Sequence, residues 1–378
     1  MPEAALVLTT IFERPILDFY FNNFAKYGHL ESVKVFLIPD RKTPSSVFTK
    51  CKEFDRQGWR VFCPTIEEQE SFLRQVGFPP HLIPYDSDNR RNIGFLMALE
   101  SAADFVLSID DDNFCRPDED FFAAHSIVLQ DKFETPALST DSGWYNLCDL
   151  LQFNQTGTTY PRGFPYFARH RQDNLVDNPV TASIHMNAGL WLRDPDVDGI
   201  SWLVNPMLGE SFKGPSVVLA QDTWTPVNTQ NTALRTDVIA SYYFVRMNYP
   251  LMGGMDIDRY GDIFSGYYAQ ACMRHLGGSL RIGTPVVEHN RNSHNYLHDA
   301  IREMGCITVL EDLLPWLTRE AKLEGNSYPE TYISLSYLLE EAVEKLRGKF
   351  WNDATRGYFH QTAYHMRKWA EVCATLRG

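Results

Sequence analysis

Asp104-Phe105-Val106-Leu107-Ser108-Ile109-Asp110-Asp111-Asp112-Asn113 carries more information than any other ten residues of this chain. The apolar run from Phe105 to Ile109 has the length and composition of a buried strand. It stops abruptly in three carboxylates. Parallel α/β sheets bind their ligands at the carboxyl ends of their strands, which is where this acidic turn would sit. Two readings fit it. One is a solvated acidic turn. The other is a site where a divalent cation relieves the repulsion among the carboxylates and bridges to a diphosphate. Hard oxygen donors suit Mg²⁺ or Mn²⁺, and the strand context favours the second reading.

Outward toward the N-terminus, strand and helix patterns alternate. Residues 4–11, 33–39 and 60–63 read as strands; 16–27, 45–56, 66–75 and 89–102 read as helices. This alternation predicts βαβ units, hence a mainly parallel sheet with helices on both faces. Toward the C-terminus, 130–180 is rich in Thr, Asn, Gly and Pro and reads as long loops forming a lid. Residues 180–193 return to strand composition, 262–276 suit a helix and 280–289 a pair of short strands. Helical patterns fill 296–322, 331–348 and 354–375. The expected organisation is a catalytic region over 1–295 and a C-terminal helical region over 296–378.

The 378 residues are 44% hydrophobic and 22% charged, enough for a large core and against disorder. A formal net charge of −13 argues against nucleic acid as a partner. Seven scattered cysteines without a C-x-x-C pair read as free thiols in a reducing compartment. The first residues carry no basic leader, and no apolar stretch reaches the roughly 20 residues of a membrane span. The expectation is a cytoplasmic protein with no membrane partner; a homo-oligomer stays open.

Other segments carry candidate chemistry. Arg90 and Arg91 open a helix just before the acidic strand and can hold phosphate or ribose, or simply make surface salt bridges. His289, in Pro285-Val286-Val287-Glu288-His289-Asn290, can be a further metal ligand, though most single histidines are not. Arg162 and Arg169 lie in an aromatic loop and can clamp a departing diphosphate or pack over rings. Asp262 precedes an amphipathic helix as an N-cap or a contact to sugar hydroxyls. No G-x-G-x-x-G, G-x-x-x-x-G-K-[ST] or G-x-S-x-G motif occurs, so neither flavin nor NAD is expected.

The ordered set of blocks resembles the reversibly glycosylated polypeptide family, which includes the plant UDP-arabinopyranose mutases. It comprises Thr10-Ile11, Arg91-Asn92-Ile93-Gly94, Ile109-Asp110-Asp111-Asp112, Arg162-Gly163-Phe164-Pro165 with Arg169, and Asn187-Ala188-Gly189-Leu190-Trp191-Leu192. Arg259-Tyr260-Gly261-Asp262 and Gly283-Thr284-Pro285 running to His289 complete it. Gly261-Asp262 replaces the family's Asp pair, Glu288-His289-Asn290 its Trp-His-Ser, and Ala188 its Cys.

The resemblance implies a GT-A-like (Rossmann-like) α/β fold, a Mn²⁺- or Mg²⁺-dependent nucleotide-sugar site and flavin-independent interconversion of pyranose and furanose rings. It also implies that Arg162 matches the reversibly glycosylated arginine of plant members. The chain looks closer to bacterial members that act on GDP-sugars, notably a GDP-fucose mutase of nucleoside-antibiotic biosynthesis. On this reading Asp110, Asp112 and His289 hold the metal, while Arg162, Asp262 and Arg169 are catalytic. Thr10, Arg14, Arg90, Arg91, Asp110, Asp111 and Asn187 bind the GDP- or UDP-linked sugar. Two rivals are a GT-A glycosyltransferase that needs an acceptor, and a non-catalytic nucleotide-sugar sensor or self-glycosylating scaffold protein.

Overall fold

A computed structural model describes residues 2–251 and 255–377. Residues 1, 252–254 and 378 lie outside it, so the outer ends of the two expected regions are not covered. The N-terminal half alternates as expected: β1 (Ala4–Thr10), α1 (Ile16–Tyr27), β2 (Val33–Pro39), α2 (Ser45–Arg56), β3 (Val61–Phe62), α3 (Ile66–Gln75), α4 (Arg91–Glu100) and β4 (Phe105–Ile109). These strands are parallel, in the order β3-β2-β1-β4. Ala4 through Leu8 of β1 are fully buried, which explains their unbroken apolar run. Helix α3 starts at a capping box between Thr65 and Glu68. Helix α4 packs close to the sheet because residue 94 is glycine: a Cβ there would stand 2.5 Å from Val7 Cγ1.

The second half is β5 (Asn113–Cys115), α5 (Phe121–His125), β6 (Phe133–Thr140), β7 (Leu151–Phe153), β8 (Leu175–Ala182), β9 (Ile184–Arg193), α6 (Gly199–Val204), β10 (Gly209–Phe212), β11 (Val217–Leu219), β12 (Asn231–Arg235), β13 (Tyr249–Pro250), β14 (Asp256–Ile257), α7 (Gly261–His275) and β15 (Ser279–His289). Helices α8 (Tyr296–Arg319), α9 (Tyr328–Lys345) and α10 (Asp353–Arg377) complete the described chain. The sheet continues β4-β12-β9-β15-β11-β6-β8 and is mixed from β12 onward. Strand β12 runs antiparallel to both β4 and β9, and β9 parallel to β15. A parallel half ending in an acidic turn, with an antiparallel strand beside it, gives the GT-A-like α/β architecture.

Three local expectations are corrected. The stretch 130–180 is not simply loops. It contains β6, β7 and most of β8, and β6 and β8 pair over eight residues in which Pro136 faces Pro179. Residues 280–289 form one strand, not two, with a register shift between Gly283 and Val286. The helix expected from residue 89 begins as a 3-10 turn, Asp88–Arg90, before α4.

The C-terminal helices share the core of the sheet. Trp369 of α10 is fully buried and donates to Ile239 O at 2.7 Å. Tyr332 and Leu335 of α9 are likewise fully buried. Among the described residues no helix is long and apolar enough to cross a membrane. Six of the seven cysteines are buried free thiols and Cys63 is half-buried.

Candidate nucleotide-sugar site

The carboxyl ends of β1, β2 and β4 open into a polar cleft of about 420 Å³, within the size range of small-ligand pockets. Thr10, Arg90, Arg91 and the Asp110–Asp112 turn line it from the N-terminal half. Arg162, Asp196, Asp262, His289 and Arg291 line it from the second half. The chain thus gathers into one cleft residues up to 293 positions apart in sequence, the span from Thr9 to Arg302.

Each carboxylate of the acidic turn has its own partner. Thr10 Oγ1 donates to Asp111 Oδ2 at 2.5 Å, and Arg14 Nε stands 3.8 Å from Asp111 Oδ1. Arg14 is not part of the cleft lining, and its guanidinium also donates to Asn292. Buried Arg91 donates to Ser108 Oγ at 2.9 Å, Thr229 O at 2.8 Å and Asp110 Oδ1 at 2.5 Å. Burial pushes Asp110 up to about 7, with Arg91 opposing and Asp112 adding repulsion. Burial also raises Asp111 to about 6, against the hydrogen bond from Thr10. Both carboxyls are therefore harder to ionise than a solvated carboxylate, chiefly because they are buried and secondarily because other carboxylates crowd them.

Asp112 pairs with His289, Nε2 to Oδ1 at 3.6 Å. Burial works against the Asp112 carboxylate, but His289 outweighs it and holds Asp112 below the ordinary carboxylate range. His289 Nδ1 donates to Asp194 O at 2.7 Å. That bond orients the ring with Nε2 toward Asp112, as in histidines that ligate metals.

A nitrogen lone pair and a carboxylate converging beside two further carboxylates fit a hard divalent cation. The residues that fit are Asp112 and His289. The expected third ligand, Asp110, is instead turned to Arg91, because a buried guanidinium needs a carboxylate. Among the described residues no three His, Cys, Asp or Glu side chains close into a ligand set. Two protein donors leave room for phosphate oxygens and water, the usual mode for Mg²⁺.

Arg162 sits in a buried cage. Its Nε and Nη2 donate to Asp196 at 2.9 and 3.2 Å, and Nη1 and Nη2 donate to Asp262 at 3.3 and 3.0 Å. Nη1 also donates to Arg259 O. All five guanidinium donors are thereby used. The expectation of a free cation clamping a diphosphate is corrected: Arg162 holds two carboxylates in place. Burial disfavours the Asp196 charge, yet Arg162 outweighs it and brings that carboxyl down to about 2.

Two further expectations fall outside the cleft. Arg169 donates to Asp198 at 2.6 Å and lies 3.6 Å above the Tyr166 ring, behind the cleft wall. Asn187 is fully buried inside the sheet, where it donates to Thr284 O and accepts from Arg281 Nη1. Its position on β9 turns it away from the strand ends. Arg90 does line the cleft, but it stacks on Tyr85 at 4.6 Å and donates to Gln69.

Several participants are not visible in sequence. Asp196 completes the Arg162 cage. Glu303 of α8 is fully buried between Arg259 Nε at 3.0 Å and Gly199 N at 2.7 Å. Arg291 lines the cleft just past His289. That proximity to a candidate ligand is the signal that could have found it.

The family model described as "Reversibly glycosylated polypeptide" matches residues 64–377. The chain is 25% identical over 303 residues to UDP-arabinopyranose mutase 1 of Arabidopsis thaliana, covering 79% of this chain and 76% of that protein. It is 24% identical over 379 residues to UDP-arabinopyranose mutase 3 of the same plant, covering 100% and 92%. Among solved structures it is similar to glucosyl-3-phosphoglycerate synthase from Mycobacterium tuberculosis in complex with Mn²⁺, UDP and phosphoglyceric acid. That likeness has a TM-score of 0.42 at 12% identity over 84% of this chain and 78% of the other. The extent of the family match establishes that the chain belongs to the reversibly glycosylated polypeptide family.

Proposed function

We propose that the chain is a cytoplasmic, divalent-metal-dependent and flavin-independent nucleotide-sugar mutase that interconverts pyranose and furanose forms. We name GDP-fucose, or a related GDP-hexose, as its substrate, on the likeness of the sequence to bacterial members of the family. The observation that carries the mutase reading is the single cleft shared by the Asp112–His289 pair and the Arg162-held Asp262. It offers a seat for a diphosphate and a fixed carboxylate for the sugar. Family membership and UDP-arabinopyranose mutase relatives support the same reading.

Asp112 and His289 would hold Mn²⁺ or Mg²⁺, which supplies positive charge for the diphosphate when bound. The chain's own residues do the rest. The C1–O bond to the diphosphate breaks with its electron pair going to the diphosphate. The sugar 4-hydroxyl oxygen then closes on C1, and Asp262 accepts its proton. Breaking the bond from C1 to the original ring oxygen lets that oxygen take the proton back from Asp262. A diphosphate oxygen then re-forms its bond to C1. Atoms and charge balance, and no acceptor is needed. Arg162 keeps the Asp262 carboxylate in one orientation throughout.

The test is incubation with GDP-fucose and Mn²⁺ without acceptor, with UDP-arabinose and UDP-galactose in parallel and EDTA controls. Chromatography and NMR of the anomeric signal read the outcome. A new isomer of unchanged mass, absent with EDTA, is expected. Free nucleoside diphosphate, or no change with any donor, would overturn the mutase reading in favour of a transferase that needs an acceptor.

A further inference from the structure

Most cations lining the cleft are already engaged. Arg91 donates to Ser108, Thr229 and Asp110; Arg162 to Asp196 and Asp262; Arg259 pairs with Asp299 and Glu303. Arg302 stands 3.6 Å from Asp258, and Lys42 3.7 Å from Asp86. Arg90 is held by Gln69 and Tyr85. Arg90 and Arg91 each leave Nε without a partner while other nitrogens of the same guanidinium are bonded. Arg291 differs. Among the described residues its guanidinium has no carboxylate within 4.0 Å, and its Nη1 is shut away from solvent without a hydrogen-bond partner. A buried cationic N–H without an acceptor is costly, so such a group calls for an explanation.

Its placement is nevertheless fixed. Arg291 N donates to Asp194 Oδ2 at 2.9 Å. The guanidinium carbon lies 5.8 Å from the Trp202 ring and 5.9 Å from the Tyr296 ring, which stack on each other at 5.0 Å and 8°. Asp194, which fixes the Arg291 backbone, also accepts from His289 Nδ1 through its carbonyl. One residue therefore positions both His289 and Arg291. Arg259 and Arg162 add like charge nearby and Asp196 and Asp299 offset it, so the feature that calls for an anion here is the unmet guanidinium donor itself.

We propose that Arg291 binds a non-bridging oxygen of the substrate diphosphate and keeps hold of it while the C1–O bond is broken. This rests on the nucleotide-sugar reading above. In the ligand-free protein the guanidinium is prepositioned and unpaired; the diphosphate supplies its missing acceptor. A planar fork suits phosphate in a way that a lysine ammonium does not.

Calorimetric titration of the full chain with GDP, UDP, guanosine and uridine, in Mn²⁺ and in EDTA, tests this. Arg291→Met is expected to weaken the bound nucleoside diphosphate roughly tenfold to a hundredfold. Arg291→Lys should recover part of that loss, and affinity for the matching nucleoside should not change. The melting temperature of ligand-free Arg291→Met should equal or exceed that of the wild type, since an unpaired buried cation is removed; a purely structural arginine would lower it. Wild-type binding with unchanged diphosphate affinity in Arg291→Met overturns the Arg291 assignment alone. No binding of either diphosphate by the wild type overturns the nucleotide-sugar reading and this inference with it.

Discussion

Replacing Asp196 with asparagine keeps the shape of the Arg162 cage and removes one of its two charges. The new amide can still accept from Arg162 Nε, but its NH₂ group then faces the Arg162 Nη2 and Asn228 Nδ2 donors that Asp196 Oδ2 now satisfies. Moving the Asp196 carboxyl from 3.8 down to about 2 corresponds to about 2.4 kcal/mol of favourable interaction with its surroundings. Leaving a buried guanidinium short of a partner raises the expected loss toward about 3–5 kcal/mol. An unfolding entropy of about 2.1 cal/mol/K per residue converts a 2.4 kcal/mol loss in a chain of 378 residues to a fall in Tm of about 3 °C.

The sign follows from a folded-state value below the unfolded one. This stability is present above pH 3.8 and is lost as pH falls through about 2. The gap between wild type and Asp196→Asn should therefore stay constant from pH 8 to pH 5 in calorimetry. Combining Asp196→Asn with Asp262→Asn should be non-additive by at least about 0.5 kcal/mol, because both carboxylates share one guanidinium. A Tm within 1 °C of wild type would refute the buried cage, as would strict additivity.

Three further outcomes are expected. His365 is buried, which brings it down to about 4; below pH 6.5 the unfolded chain takes up a proton that the folded one does not accept until about 4, so stability falls through that window. Wild type should lose about 2 kcal/mol more stability than His365→Gln between pH 7.5 and 5, and parallel Tm curves would count against this. A Cβ at Gly266 would stand 2.0 Å from Val227 O, so Gly266→Ala should cost about 1–3 kcal/mol in a urea titration, and an unchanged midpoint would sink that packing argument. Arg162 has no free donor and is held charged by its two carboxylates. The intact mass after incubation with nucleotide-sugar should therefore show no adduct, and a glycosyl group mapped to Arg162 would overturn this reading.

The N-terminal half was legible because its strands are apolar runs and its helices amphipathic. The bounds of α1, β2, α2 and α3 agree with those read from periodicity. β12 was not legible: Asn231-Thr232-Ala233-Leu234-Arg235 has no apolar run, yet it lies at the centre of the sheet. Its polarity is satisfied internally, with Asn231 donating to Leu190 O and Pro285 O. β6 and β8 were hidden by Pro136 and Pro179, which usually mark loops or edges.

At the site, the acidic turn was readable from one segment. The Arg162 cage was not, since its partners lie 34 and 100 positions away. Asn187 is the reverse case: it sits in a recognisable block that suggests a ligand contact, yet its side chain ties strands together.

Helix α8 has a consequence for how the protein comes into being. Glu303 neutralises Arg259, Asp299 joins it, and Glu311 accepts from the backbone of Tyr166 and Phe167. Until residue 311 has been synthesised and has left the ribosome, the wall carrying Arg162 and Arg259 lacks its anchors. A nascent chain can thus form its parallel strands early while its cleft remains unfinished. Ligand cannot help to fold the shorter growing polypeptide; it can only stabilise one that has already extended past Glu311.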